Sequence, residues 1–165
     1  MDSIVLIRDN LRRSEEIVLS RIEEMEEHCL VFPSDAGGCH TLWLVGHLAY
    51  IEALVLETFV RGRDNPLSHW ESMFDASDVS SRAEDYVSFD EALRQCRSRR
   101  RETLQFLAQQ SKDDLDRPSR RPPDGAEQLF GNVRICLQYC ADHWWMHRGQ
   151  LAVARRAAGV GRMWY

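Results

Sequence analysis

An all-α fold is predicted, a four-helix bundle with crossover loops and one short extra helix. Three observations predict it. Apolar residues recur every three or four positions over long stretches, no segment of useful length alternates apolar with polar, and turn formers cut the chain into four long helical stretches and one short one. The 165 residues show no interior boundary and no internal repeat, so residues 1–165 read as a single domain.

The first helix is predicted from Ile4, Ile7, Leu11, Val18, Ile22, Met25 and Cys29, an apolar stripe about 25 residues long with charges between its members. Pro33, Gly37 and Gly38 stop it. The second runs from Thr41, read as its N-cap, to about Arg63. It is apolar on more than one face, which places it deep in the bundle or against a second subunit. Gly62 ends it, and Asn65-Pro66 opens a short helix through Phe74. Residues 75–87 are polar and read as a crossover loop. Ser88 with Glu91 makes a capping box for the third long helix, which carries Phe89, Leu93, Cys96, Leu104 and Leu107 and ends near Gln110. Three prolines and a glycine between Arg117 and Gly125 keep that stretch from being helical throughout. The last helix starts at the cap Asn132 and ends at Ala158, with Gly159 as its stop.

Composition narrows the function. Twenty-one basic against 26 acidic residues leave a net charge of −5, which opposes a whole-domain attraction to nucleic acid or anionic lipid. The runs Arg97-Ser98-Arg99-Arg100-Arg101 and Arg117, Arg120, Arg121 read as solvated faces, so no nucleic-acid partner is expected. No apolar stretch is read as reaching the ~20 residues that span a bilayer, and the N-terminus lacks a signal pattern, so a cytoplasmic protein without a membrane partner is expected. Five cysteines without a C-x-x-C pair read as buried free thiols.

The chemistry concentrates in the last helix. Its core stripe, carried by Val133, Cys136, Cys140, Leu151 and Ala154, passes through positions 143 and 147, and both are histidine. They lie about 40° apart around the axis and ~6 Å apart along it. Two imidazoles at i and i+4 on an inward face can bind one metal ion. Bundles complete such sites from a facing helix. His47, between Gly46 and Leu48 on the most buried helix, is the best third ligand. His28, His40, His69 and Cys140 are weaker candidates, and Gln150, Tyr50 and Arg148 are the other polar groups expected nearby. Three neutral imidazoles suit zinc, nickel, copper or iron(II), and leave an open position that acidifies a bound water or thiol. Trp144 stands where H-E-x-x-H keeps its glutamate, so the usual metalloprotease chemistry is unsupported. The rival is a bundle whose histidines only pack, or whose metal only stabilises. Trp144 and Trp145 point about 100° apart, so one packs in the bundle. Trp43 and the second apolar face of helix two suit a dimer contact.

Gly46-His47-Leu48 together with His143-x-x-x-His147-Arg148-Gly149-Gln150 resembles the DinB/YfiT-like family of metalloenzymes. The likeness spans most of the chain, including Gly37-Gly38, Asn65-Pro66 and Phe130-Gly131. It implies a four-helix bundle, often a homodimer, with a divalent metal, usually zinc or nickel, held by His47, His143 and His147. It also implies an enzyme acting on a small-molecule substrate. Some members are thiol-dependent, either S-transferases using a low-molecular-weight thiol cosubstrate or the mycothiol-dependent maleylpyruvate isomerase. That isomerase branch has a glutamate ligand; three histidines place this chain nearer the general group.

Overall fold

Three amphipathic helices and one that is apolar on every side each need an apolar partner, and they find one another in a square. The computed structural model describes residues 2–32, 39–75 and 78–161. The elements are α1 (Ser3–Glu23), α2 (Thr41–Ala53) continuing as a π-helical segment (Leu54–Val60), α3 (Glu71–Phe74), α4 (Phe89–Ala108), α5 (Lys112–Leu115), α6 (Glu127–Phe130) and α7 (Val133–Ala157). Among the described residues there is no strand, only an isolated bridge between Pro118 and Asn132. The largest contacts are α2 with α4 and α1 with α7, and the square is closed by α2 with α7 and α1 with α4. α1 therefore lies diagonal to α2, and α4 diagonal to α7. The chain crosses the bundle between its first two long helices, an order the sequence leaves open.

The helix ends follow local chemistry. Asp2, Ser88 and Asn132 cap α1, α4 and α7 by accepting from the backbone N–H of Ile4, Glu91 and Ile135. α1 stops at Glu23, earlier than its apolar stripe suggests. The chain tightens there into three-residue turns, with Met25 N–H on Ile22 C=O and Glu26 N–H on Glu23 C=O, so Met25 is buried while Cys29 is exposed. The cap of α2 is His40, not Thr41: the His40 ring accepts the Trp43 N–H at 3.0 Å. The Ser88 box is half formed, because Glu91 turns to Arg94 and Gln95. A full box closes α5 instead, between Ser111 and Asp114. Asn65 accepts the Leu67 N–H, but the turn that follows is 3₁₀ over Ser68–Trp70 before α3 begins. The stop expected at Pro33, Gly37 and Gly38 lies outside the described residues.

α2 is buried at 11 of its 13 positions, as its all-round apolarity predicts. Thr41–Val60 spans 20 residues and is long and apolar enough by composition to cross a membrane, which corrects the expectation that no stretch reaches that length. Most of it, 72%, is covered by the rest of the fold, as for the core helix of a bundle. The π segment carries Glu57 and closes against the long third connection: the Phe59 carbonyl accepts the N–H groups of both Arg120 and Arg121.

The core also holds an ion pair. Arg100, within the run read as a solvated face, has a fully buried side chain. Its Nε–H donates to Glu52 Oε1 at 2.7 Å and one terminal nitrogen to Glu52 Oε2 at 2.9 Å. The remaining donors reach the Cys140 carbonyl at 3.0 Å, the Leu11 carbonyl at 2.5 Å and the Ser14 hydroxyl at 2.9 Å. All five guanidinium N–H groups are thus satisfied, and the plane lies 4.0 Å from the Trp144 ring centroid. Trp144 Nε1–H donates to Glu52 Oε2 at 2.8 Å. Leaving either charge unpaired in this interior costs several kcal/mol. Arg100→Ala or Glu52→Ala should each lower the unfolding free energy by about 3–5 kcal/mol in urea titrations, whereas Arg100→Met with Glu52→Met should lose less than either.

Candidate metal centre

Three helical positions bring three rings together. α2 supplies His47, and α7 supplies His143 and His147 one turn apart. His47 Nε2 lies 3.2 Å from His143 Nε2, and His147 Nε2 lies 3.0 Å from the same atom. The three ligand atoms fall within 4.8 Å of one another, and no other such cluster occurs among the described residues. His143 is 4% exposed, and the other two are half-buried.

The far side of each ring decides what this cluster can hold. His47 Nδ1 faces the Phe74 carbonyl at 2.6 Å, and His147 Nδ1 faces Gln150 Oε1. Both oxygens are acceptors, so both Nδ1 atoms carry the proton and both Nε2 atoms present a lone pair. Those lone pairs converge beside His143 Nε2, which can donate at most one hydrogen. A cation resolves the conflict. A tetrahedral zinc with bonds of ~2.0–2.1 Å sets its nitrogens roughly 3.4 Å apart, close to the 3.2 and 3.0 Å that separate His143 Nε2 from its two neighbours. Oxygen acceptors behind ligating rings are also how metal sites hold their histidines. The donor set therefore fits a divalent transition metal.

Packing fixes the rings further. The Trp43 indole lies nearly flat on His47, with centroids 4.3 Å apart and planes 14° apart. Tyr139 stacks on His143 at 5.5 Å and 18°. Trp43 is thus buried within its own chain at 6% exposure and is not the dimer surface expected of it. Gly46 has a steric purpose. A Cβ there would stand 2.1 Å from the Phe74 ring, so only glycine lets Phe74 close over α2 and bring its carbonyl to His47.

Burial keeps all three imidazoles neutral. It pushes His47 down to about 4, against the Phe74 carbonyl and with the help of His147. It pushes His143 down to about 2, aided by His147, His47 and Arg100. His147 is lowered by burial, against the pull of Gln150. Two tyrosines and a carboxyl respond to the same surroundings. Burial raises Tyr139, with Cys140 and Asp75 adding to it. Burial, Asp75 and Glu71 push Tyr50 up to about 12. Asp75, next to Phe74, is raised by burial and then by Glu71.

The weaker candidates fall away. His28 and His69 are exposed, and His40 is spent as the α2 cap, its Nε2 facing the Ser80 carbonyl at 2.8 Å. Cys140 stands outside the cluster, its buried thiol raised well above the usual range by desolvation. Gln150 belongs to the site as expected. Arg148 instead lines a shallow surface cleft with Trp145 and Ala152. Trp144 packs in the core, and Trp145 donates to Asn10 Oδ1 at 2.9 Å. The Phe74 carbonyl and Tyr139 escape the sequence: a main-chain acceptor has no residue signature, while Tyr139, at i−4 from His143, has a helical spacing that points to it.

This arrangement, on this bundle, defines a class. A family model of the DinB superfamily matches residues 10–151, and the chain belongs to that superfamily. No curated protein matches the chain.

Two outcomes follow from the geometry. Each histidine binds a proton more readily unfolded than folded, so unfolding is favoured as pH falls below the ordinary 6.5. The metal-free protein should hold its full denaturation midpoint above about pH 6.5 and lose it progressively toward pH 4, the value of His47. His47→Leu should flatten that slope. Gly46→Ala should destabilise by about 1–3 kcal/mol in the same assay and weaken zinc retention on dialysis.

Proposed function

We propose that the chain is a divalent-metal-dependent enzyme, a hydrolase or a low-molecular-weight-thiol S-transferase, acting on a small-molecule substrate in the cytoplasm. His47, His143 and His147 hold the ion, zinc or nickel. One observation supports this above the others: acceptors behind His47 and His147 leave two lone pairs aimed at one spot beside His143. A divalent ion held there would supply Lewis acidity for activating a water or a thiol.

The protein's own groups do the remaining work. The Phe74 carbonyl and Gln150 hold the ligand tautomers, so no ring must reorient when the ion arrives. Trp43 covers one face of His47 and keeps water off that side. The Tyr139 hydroxyl, kept protonated by burial, can donate to a substrate oxygen.

A second reading, a metal that only stabilises the fold, draws on the 4% exposure of His143 and the indole over His47. Access separates the two: azide or a thiol should perturb the visible spectrum of the cobalt-loaded protein if a coordination position is open. A homodimer is part of the proposal. Leu6 and Leu129, each 51% exposed, border an apolar groove of about 300 Å³ that a second copy would cover.

Protein isolated without chelator should contain close to one zinc or nickel per chain by elemental analysis. The triple His47→Ala, His143→Ala, His147→Ala variant should contain none, and its melting temperature should not respond to added metal. The loaded protein should conjugate mycothiol, bacillithiol or glutathione to an electrophile, or hydrolyse an ester or amide. Metal content far below one per chain, with no thermal response to zinc or nickel in the wild type, would sink the reading.

A further inference from the structure

A second concave site lies where the π segment meets the long third connection. It is a cleft of about 560 Å³, and four of its nine lining residues are arginines: Arg61, Arg63, Arg117 and Arg120. Among the described residues no carboxylate lines it. The volume is in the range of small-ligand sites. In a chain of net charge −5, such a concentration of one sign focuses a positive potential in the cleft.

The guanidinium groups are held from behind. Arg61 lies 5.0 Å over the Phe106 ring centroid and is paired with Glu57. Arg63 reaches the other oxygen of Glu57 at 3.7 Å. Arg117 donates to Gln110 Oε1 at 2.8 Å and to the Asp114 carbonyl at 3.3 Å, and its Nε pairs with the Asp114 carboxylate at 3.4 Å. Arg120 is placed by its backbone, whose N–H donates to the Phe59 carbonyl at 2.8 Å. Gly62, at φ +70°, lets it come close: a Cβ there would stand 2.9 Å from the Arg120 Cβ. The Arg120 guanidinium has no partner among the described residues. Glu57 thus serves two arginines and Asp114 a third, so four guanidinium groups face two carboxylates and the cleft retains excess positive charge.

We propose that this cleft binds a small organic phosphate. Several forked guanidinium groups around one cavity match the three acceptor oxygens and near-double charge of a phosphate monoester better than a single carboxylate. The walls of Val60, Phe106 and Pro118 give the organic part an apolar surface. The concave shape favours a small molecule over a nucleic-acid duplex, which tracks along an extended basic surface. The cleft lies at the far end of the Thr41–Val60 rod from His47, so the proposal stands apart from the metal reading.

Isothermal titration of the full-length chain with adenosine monophosphate at about 150 mM salt tests it. One site per chain is expected, with inorganic phosphate binding more weakly. Arg63→Gln with Arg120→Gln should weaken the nucleotide by at least roughly tenfold. Both side chains are exposed, so melting temperature and metal content should stay unchanged. No heat with the nucleotide up to about 10 mM overturns the proposal, as does equal affinity in the double variant. Inorganic phosphate binding as tightly as the nucleotide removes the role given to the apolar walls. A short DNA duplex that binds more tightly, with the same loss in the variant, assigns the surface to nucleic acid instead.

Discussion

The architecture depends on one buried charge pair. Arg100 comes from α4, Glu52 from α2, the Leu11 carbonyl and Ser14 from α1, and the Cys140 carbonyl and Trp144 from α7. A single side chain thus touches all four long helices. Apolar packing alone tolerates small slides of one helix along another. A guanidinium whose five donors each need a particular acceptor does not, because a slide would strand charge in the interior.

That constraint reaches the histidines directly. Glu52 follows His47 on α2 by five positions, and Trp144 follows His143 on α7 by one. Glu52 accepts from both Arg100 and Trp144, so the register of α2 against α7 is set at the pair, about one turn from where the Nε2 atoms meet. The outer positions of the three rings are then fixed locally, by the Phe74 carbonyl, by Gln150 and by the stacked Trp43 and Tyr139. A site that must keep two nitrogens 3.0–3.2 Å from a third without drifting has this kind of support behind it.

Much of this was legible in the sequence, for identifiable reasons. Three of the long helices announce themselves through 3.6-residue periodicity and the second through all-round apolarity, and His143 and His147 through falling on an apolar stripe. His47 stood out as a lone imidazole in an almost wholly buried helix. Arg100 was obscured by its neighbours: within Arg97-Ser98-Arg99-Arg100-Arg101 it looks like one more solvated charge. Yet the buried positions of α4 are 89, 92, 93, 96, 100, 103 and 107, so periodicity pointed inward at an arginine. The His40 cap and the Phe74 carbonyl had no such trace, since a ring acting as a cap and a main-chain oxygen acting as an acceptor depend on tertiary placement. Widening of the second helix beyond Ala53 was equally silent, because π and α turns draw on the same residues.

That widening divides the labour of the rod from Thr41 to Val60. Its first half presents an imidazole to the triad, while its wider second half leaves the Phe59 carbonyl free to grip the backbone at Arg120 and Arg121. Roughly 15–20 Å of helix axis separate His47 from Phe59. The buried charge pair at Glu52 lies between them, so each end can be re-engineered as an independent module while that pair keeps the frame in register.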